Sequence, residues 1–184
     1  MSRISCLVAL CALEALGQTR SFELGRPARP EEIDELDITV FPDGRGLPPG
    51  RGNAVEGKGI YEVRCVRCHN TGGTGRQGEY PALIGGKGSL GTAKPKKTVG
   101  SYWPYATTLW DHIHRAMPFD QPRTLSPDRV YALTAYVLFL NGIVTETFEV
   151  SRETLPAVAM PNRNGFYSVY PGRKPNQKLT RNPN

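Results

Sequence analysis

Cys65-Val66-Arg67-Cys68-His69 is the stretch on which the fold turns. It is a C-x-x-C-H run, the spacing by which two thiols add to the vinyl groups of a c-type haem. One helical turn presents both sulfurs to one porphyrin edge and sets the imidazole beneath the ring, where it can ligate iron. Two plainer readings compete. A structural zinc site needs four protein ligands, and no Cys follows the motif. A thioredoxin-like redox pair sits near a βαβ pattern, and none is visible here. The motif therefore predicts one covalent haem c, held by Cys65 and Cys68, with His69 on iron.

Upstream, Asn53-Ala54-Val55-Glu56 has the form of a capping box, with Asn in place of Ser or Thr. It opens a first helix that runs into the haem motif. Gly57 and Gly59 weaken that helix intrinsically, and a glycine on its face marks the close approach of another helix. Downstream, residues 70–100 hold nine glycines among thirty-one residues, with Lys87, Lys94, Lys96 and Lys97, and read as loop. Thr107 to Ala116 reads as a short helix that stops at Met117-Pro118. The last helix is the plainest. Ser126 is placed to cap it, Pro127 suits its first turn and Asn141-Gly142 ends it. Its apolar residues surround most of the circumference, so it is expected to be buried on more than one side. At about fourteen residues it is too short to cross a bilayer.

The ends read differently. Residues 1–17 have the form of a secretory leader: Met1-Ser2-Arg3 is basic, Ile4 to Leu16 mostly apolar, and Ala15-Leu16-Gly17 small enough for cleavage. That run is too short for a transmembrane segment, and Leu-Val-Ala-Leu before Cys11 is a poor lipidation signal. Loss of the leader would leave Cys65 and Cys68 as the sole cysteines. Export and c-type haem agree, and the location expected is the periplasm. Residues 18–52 form an arm rich in Pro, Gly and charge, with one helical turn at Pro30–Leu36, and residues 53–143 form the haem domain. Residues 144–184 form a basic, Pro-rich tail that is disordered or folds along a surface. The net charge of +6 suits an acidic partner. The cations are scattered and no base-reading motif occurs, so nucleic acid is not expected.

The iron needs a sixth ligand or an open face. Met117 is the candidate. It follows a helix, precedes Pro118, and lies 48 residues after His69, enough chain to wrap a porphyrin. The plain alternative is a core Met filling a gap. Met160-Pro161 repeats the dipeptide beyond the last helix and is set aside. His112 and His114 are the rivals, and their spacing points them to different sides of a helix. His/Met ligation gives an electron carrier with no open coordination site. Tyr102, Trp103, Tyr105, Trp110 and Phe119 flank the Met and are expected to wall a haem pocket or to fill ordinary core.

These residues resemble a class I cytochrome c. Gly57-Lys58-Gly59-Ile60-Tyr61 is similar to that family's first-helix pattern, and Pro81-Ala82-Leu83-Ile84-Gly85 to its Pro-x-Leu-x-Gly element. The resemblance implies an all-α class I cytochrome c fold with covalent haem, extended by an N-terminal arm and a C-terminal tail. It also implies that the Pro81 carbonyl orients His69 and that Tyr136 crosses the first helix near Gly57. Cys65, Cys68, His69, Met117, Pro81, Leu83 and Trp103 are then the haem-binding set, with His69 and Met117 on the metal.

A narrower likeness is to the cytochrome subunits of sulfane and sulfite dehydrogenases from thiosulfate-oxidising bacteria. It rests on residues 97–111 with their Ser101-Tyr102-Trp103-Pro104-Tyr105 run, on Arg115-Ala116-Met117-Pro118-Phe119, and on Met160-Pro161-Asn162-Arg163-Asn164-Gly165-Phe166. The family member that carries the comparison is larger and has two haem motifs, and this chain has one. The likeness implies a molybdenum-cofactor dehydrogenase partner of the sulfite-oxidase type and a soluble cytochrome c acceptor, with this chain a relay and not itself an enzyme. A free-standing periplasmic shuttle and an open-site haem enzyme are the competing functions. Arm and tail are expected to wrap the partner, so that deleting 144–184 weakens the complex and spares the haem spectrum.

Overall fold

The computed structural model describes residues 24–167. The expected leader at 1–17, with Cys11, lies outside them, as do residues 18–23 and 168–184. The chain divides at Asp37/Ile38 into two units. In the described part of the first unit, α1 (Pro30–Leu36) is the turn of helix expected there. Arg26 pairs with Glu32, and Glu32 also accepts from the Arg29 backbone N–H at 2.9 Å.

The second unit is built on helices. Two residues of strand, β1 (Arg51–Gly52), lead into α2 (Ala54–Arg64), and α3 (Val66–His69) follows after a break at Cys65. After the long loop come α4 (Ala106–Ala116) and α5 (Pro127–Leu140). The predicted capping box forms in full: the Glu56 N–H donates to Asn53 Oδ1 at 3.1 Å, and the Asn53 N–H donates to Glu56 Oε2 at 3.0 Å. Ser126 stands at the cap of α5 but its side chain makes no capping bond. Asp128, in the first turn, accepts from the Arg51 N–H at 2.9 Å and ties β1 to α5.

α5 is the centre of the unit. Val130 through Leu138 are all buried, the outcome expected of a helix with no polar face. α2 crosses it at Gly57. A Cβ there would stand 2.0 Å from the Ala132 carbonyl oxygen and 2.8 Å from the Tyr136 Cβ, so only glycine allows this approach. Tyr61 and Tyr136 pack tilted across the same crossing, ring centroids 5.1 Å apart. α4 buries Leu109, Trp110 and Ile113 against α5, with Trp110 5.3 Å from Tyr131.

The segments before and after the helices belong to this packed unit. β2 (Val150–Ser151) pairs antiparallel with β1, and Tyr131 donates its hydroxyl to the Pro48 carbonyl at 2.8 Å. Val150, Leu155, Val158 and Met160 are buried in the same core as α5. This corrects one expectation. Deleting 144–184 would empty a side of that core and strip β1 of its pair, so it could not spare the haem domain.

Candidate functional site

α2 and α3 carry the motif. Cys65 is the hinge between them, at φ −121°, ψ −32°, and its N–H still bonds the Tyr61 carbonyl at 2.9 Å. Cys65 and Cys68 are unbridged and half-buried. Burial pushes the Cys65 thiol up to about 11, against a downward pull from Arg64. Redox-active C-x-x-C pairs work through a thiol whose pKa is lowered, and Cys65 is not such a thiol. Among the described residues no three His, Cys, Asp or Glu side chains gather to hold a metal by themselves. The two plainer readings of the motif thus lack structural support.

After α3 the chain turns back on itself to reach His69. Asn70 adopts φ 58° and donates from Nδ2 to the Gly75 carbonyl at 2.6 Å. The Gly75 N–H returns to the His69 carbonyl at 2.9 Å. Gly75 sits at φ +73°, and a Cβ there would lie 2.6 Å from the Ala82 nitrogen. This tight loop delivers Pro81, whose carbonyl oxygen lies 3.1 Å from His69 Nδ1. A carbonyl only accepts, so Nδ1 carries the proton and the lone pair is left on Nε2, the tautomer that can ligate a metal. Leu83 is fixed by its own backbone: its N–H donates to Gly73 at 2.8 Å and its carbonyl accepts from Asn141 Nδ2 at 3.2 Å. Tyr61 anchors the turn from α2, donating its hydroxyl to the Asn70 carbonyl at 2.9 Å. Asn70 was not singled out in the sequence, and Asn141 was read only as the end of the last helix. An Asn after C-x-x-C-H and an Asn-Gly at the end of a helix were the available signals.

Met117 ends α4, its N–H bonding the Ile113 carbonyl at 3.1 Å. Together with Cys65, Val66, Leu83, Trp103, Phe139 and Leu140 it is apolar yet only partly buried where it meets the core. That set fits the group the motif implies: two free thiols, an imidazole with one nitrogen engaged and one free, a thioether, and half-covered apolar walls. Trp103 stands edge-on to His112 at 5.5 Å. Burial pushes the His112 imidazole down, and the proximity of His69 acts in the same direction. His114 points elsewhere, stacked on Trp110 at 4.8 Å. Met160 is buried in the core, and Phe119 is 84% exposed. A cavity of about 550 Å³ lined by Thr74, Arg76, Tyr80 and Lys96 among others shares Pro81 with this set and reaches neither cysteine.

The comparisons with known proteins agree with this geometry. The family described as cytochrome c oxidase, cbb3-type, subunit III matches residues 52–137. A chain in the crystal structure of the sulfane dehydrogenase SoxCD from Paracoccus pantotrophus is 42% identical, with a TM-score of 0.74, over 86% of this chain and 81% of that one. This chain belongs to the class I c-type cytochromes. No curated protein matches. As a c-type cytochrome it is a haem c-binding electron-transfer protein. Among the described residues no helix is long and apolar enough to cross a membrane.

Proposed function

We propose that this cytochrome is the electron-relay subunit of a molybdenum-dependent, sulfite-oxidase-type dehydrogenase acting on a sulfur compound, with a soluble cytochrome c as acceptor and the periplasm as its place of work. Bound haem c supplies a one-electron couple. Cys65 and Cys68 hold it as thioethers, one haem for the one motif. His69 would hold the iron through Nε2, with the Pro81 carbonyl keeping its Nδ1 proton and its ring angle. Met117 would supply the second ligand, a thioether that would favour the ferrous state over what a second imidazole gives and so raise the potential. Leu83 and Trp103 exclude water. With His69 and Met117 both holding the iron, no site would be left for a substrate, and oxidation of the sulfur compound would fall to the partner.

The observation that carries this reading is the likeness to a chain of the sulfane dehydrogenase at 42% identity. The narrower resemblance of the sequence lies in residues 101–105 and 160–166, and these two runs meet here. Asn162 Nδ2 donates to the Tyr102 carbonyl at 2.7 Å, and Phe166 packs edge-on to Tyr102 at 5.1 Å. An electron shuttle needs only the haem domain and gives no reason for such a built surface.

Purification from the native periplasm tests the proposal. A co-purifying molybdenum protein, with haem reduction on adding sulfite or a related sulfur compound, is the expected result. Haem protein that elutes alone and is reduced only by another cytochrome would favour the shuttle. Wrapping of the partner by the tail is tested by deleting 168–184, which leaves Val150 to Met160 in place. Weaker association with an unchanged haem spectrum is expected.

A further inference from the structure

Two arginines of the haem motif reach across to the loop that follows Met117. Arg64 immediately precedes Cys65, and Arg67 lies between the two cysteines. They stand on either side of the Cys65 break, Arg64 at the end of α2 and Arg67 in α3. Arg64 Nη2 donates to Gln121 Oε1 at 2.9 Å and to Thr124 Oγ1 at 3.2 Å. Arg67 Nη2 meets Asp120 Oδ2 at 2.9 Å. Their targets lie in one exposed stretch, Phe119–Thr124, bounded by buried Pro118 and buried Leu125. Inside it the Gln121 N–H bonds the Pro118 carbonyl at 2.9 Å and Thr124 Oγ1 donates to the Gln121 carbonyl at 2.8 Å. The stretch is therefore a small hydrogen-bonded turn moored at its outer side by the motif itself.

We infer that Arg64 and Arg67 are positioning residues that hold the Met117 loop closed over the haem. The inference rests on the reading of Met117 as an axial ligand. Cys65, Cys68 and His69 attach one side of the site through covalent and imidazole bonds. The other side depends on one thioether at the start of a loop. Each contact is exposed and individually weak, but three of them bear on one turn, so breaking them should free the loop without unfolding the core. The cost falls on closure of the Met side, which competes directly with any added ligand for the iron.

The test is ferric imidazole binding by the holoprotein, followed through loss of the Met–iron charge-transfer band. The Arg64→Gln/Arg67→Gln double variant should bind imidazole about 5- to 10-fold more tightly than the wild type, and Asp120→Asn about 2- to 3-fold. Arg67→Lys should recover most of the Arg67 share. Because the Arg67–Asp120 pair is ionic, raising the salt from ~0.01 M to ~0.5 M should strengthen imidazole binding in the wild type and not in Asp120→Asn. A wild-type band with unchanged imidazole affinity in the double variant overturns the clamp and leaves Met117 as ligand, and a lowered unfolding midpoint alone would mark the arginines as merely structural. Absence of the band in the wild type overturns both readings.

Discussion

The α2–α5 crossing and the loop from Asn70 to Ser101 both position the haem motif, and they are stabilised by different means. At the crossing, Gly57, Ala132, Tyr61 and Tyr136 bury apolar surface at van der Waals contact. The loop buries little. It is fixed by polar bonds: Thr98 Oγ1 donates to the Gly85 carbonyl at 2.6 Å, Ser101 Oγ donates to the Lys96 carbonyl at 2.6 Å, and Ser101 Oγ accepts from the Thr98 N–H at 2.9 Å. The helices fix where the motif stands. The loop fixes how His69 is aimed. A packing defect should therefore cost stability first, and a loop defect should cost the geometry of the site first.

Gly57→Val is the hardest blow to the crossing. The new side chain meets the Ala132 carbonyl, a backbone atom that cannot swing aside, and the loss should be at least about 3 kcal/mol in a chemical denaturation series. An unchanged midpoint would mean that the helices do not cross there. Leu155→Ala extends the comparison to the segment after α5. Leu155 is fully buried, so about 2–3 kcal/mol is expected by the same measurement. A value near zero would return the tail to the status of an appendage.

Ser101→Ala probes the loop. It leaves the buried Thr98 N–H without its acceptor, at about 1–2 kcal/mol, and should shift the reduction potential, which Leu155→Ala should leave nearly still. Equal shifts in both variants would erase the distinction between the regions. Tyr61→Phe cuts the bond that joins them. It keeps the ring in the crossing and removes the hydroxyl from Asn70, for about 1 kcal/mol, readable as a lower thermal midpoint.

The smallest effect lies in the first unit. Hydrogen bonding from Arg26, helped by the Arg29 N–H, holds the Glu32 carboxyl down to about 2. A depressed folded value means that the stabilisation is complete above the ordinary carboxylate pKa near 4.5 and is lost as the pH falls toward 2. The Glu32 side-chain resonance, followed by NMR, should titrate near 2, and in Arg26→Ala it should return toward the ordinary value. The haem domain should show no matching transition at Glu32's midpoint.

Much of this was legible along the chain because it depends on neighbours in sequence. C-x-x-C-H is set by one helical turn, the Asn53–Glu56 box by three residues, and the end of α4 by Met117-Pro118. α5 could be read from its composition, since a helix apolar all round has to be enclosed. The local signal misled at Ser126, which makes no side-chain cap, while Asp128 in the same turn bonds the Arg51 N–H of β1. It also left the aromatic wall undivided: Trp110 is fully buried between His114 and Tyr131, Trp103 faces His112, and Phe119 is exposed.

By itself the sequence determined the haem class, the helices that carry the motif and the burial of the final helix on more than one side, because each follows from covalent spacing or from hydrophobic period. Only the tertiary structure decided that β1 and β2 pair across about a hundred residues, that Leu155 and Met160 complete the core, that Asn162 meets Tyr102, and that Arg64 and Arg67 reach the loop after Met117. These are contacts between polar or short segments distant along the chain. No periodic pattern announces them, since their partners are chosen by where the helices have already placed the backbone.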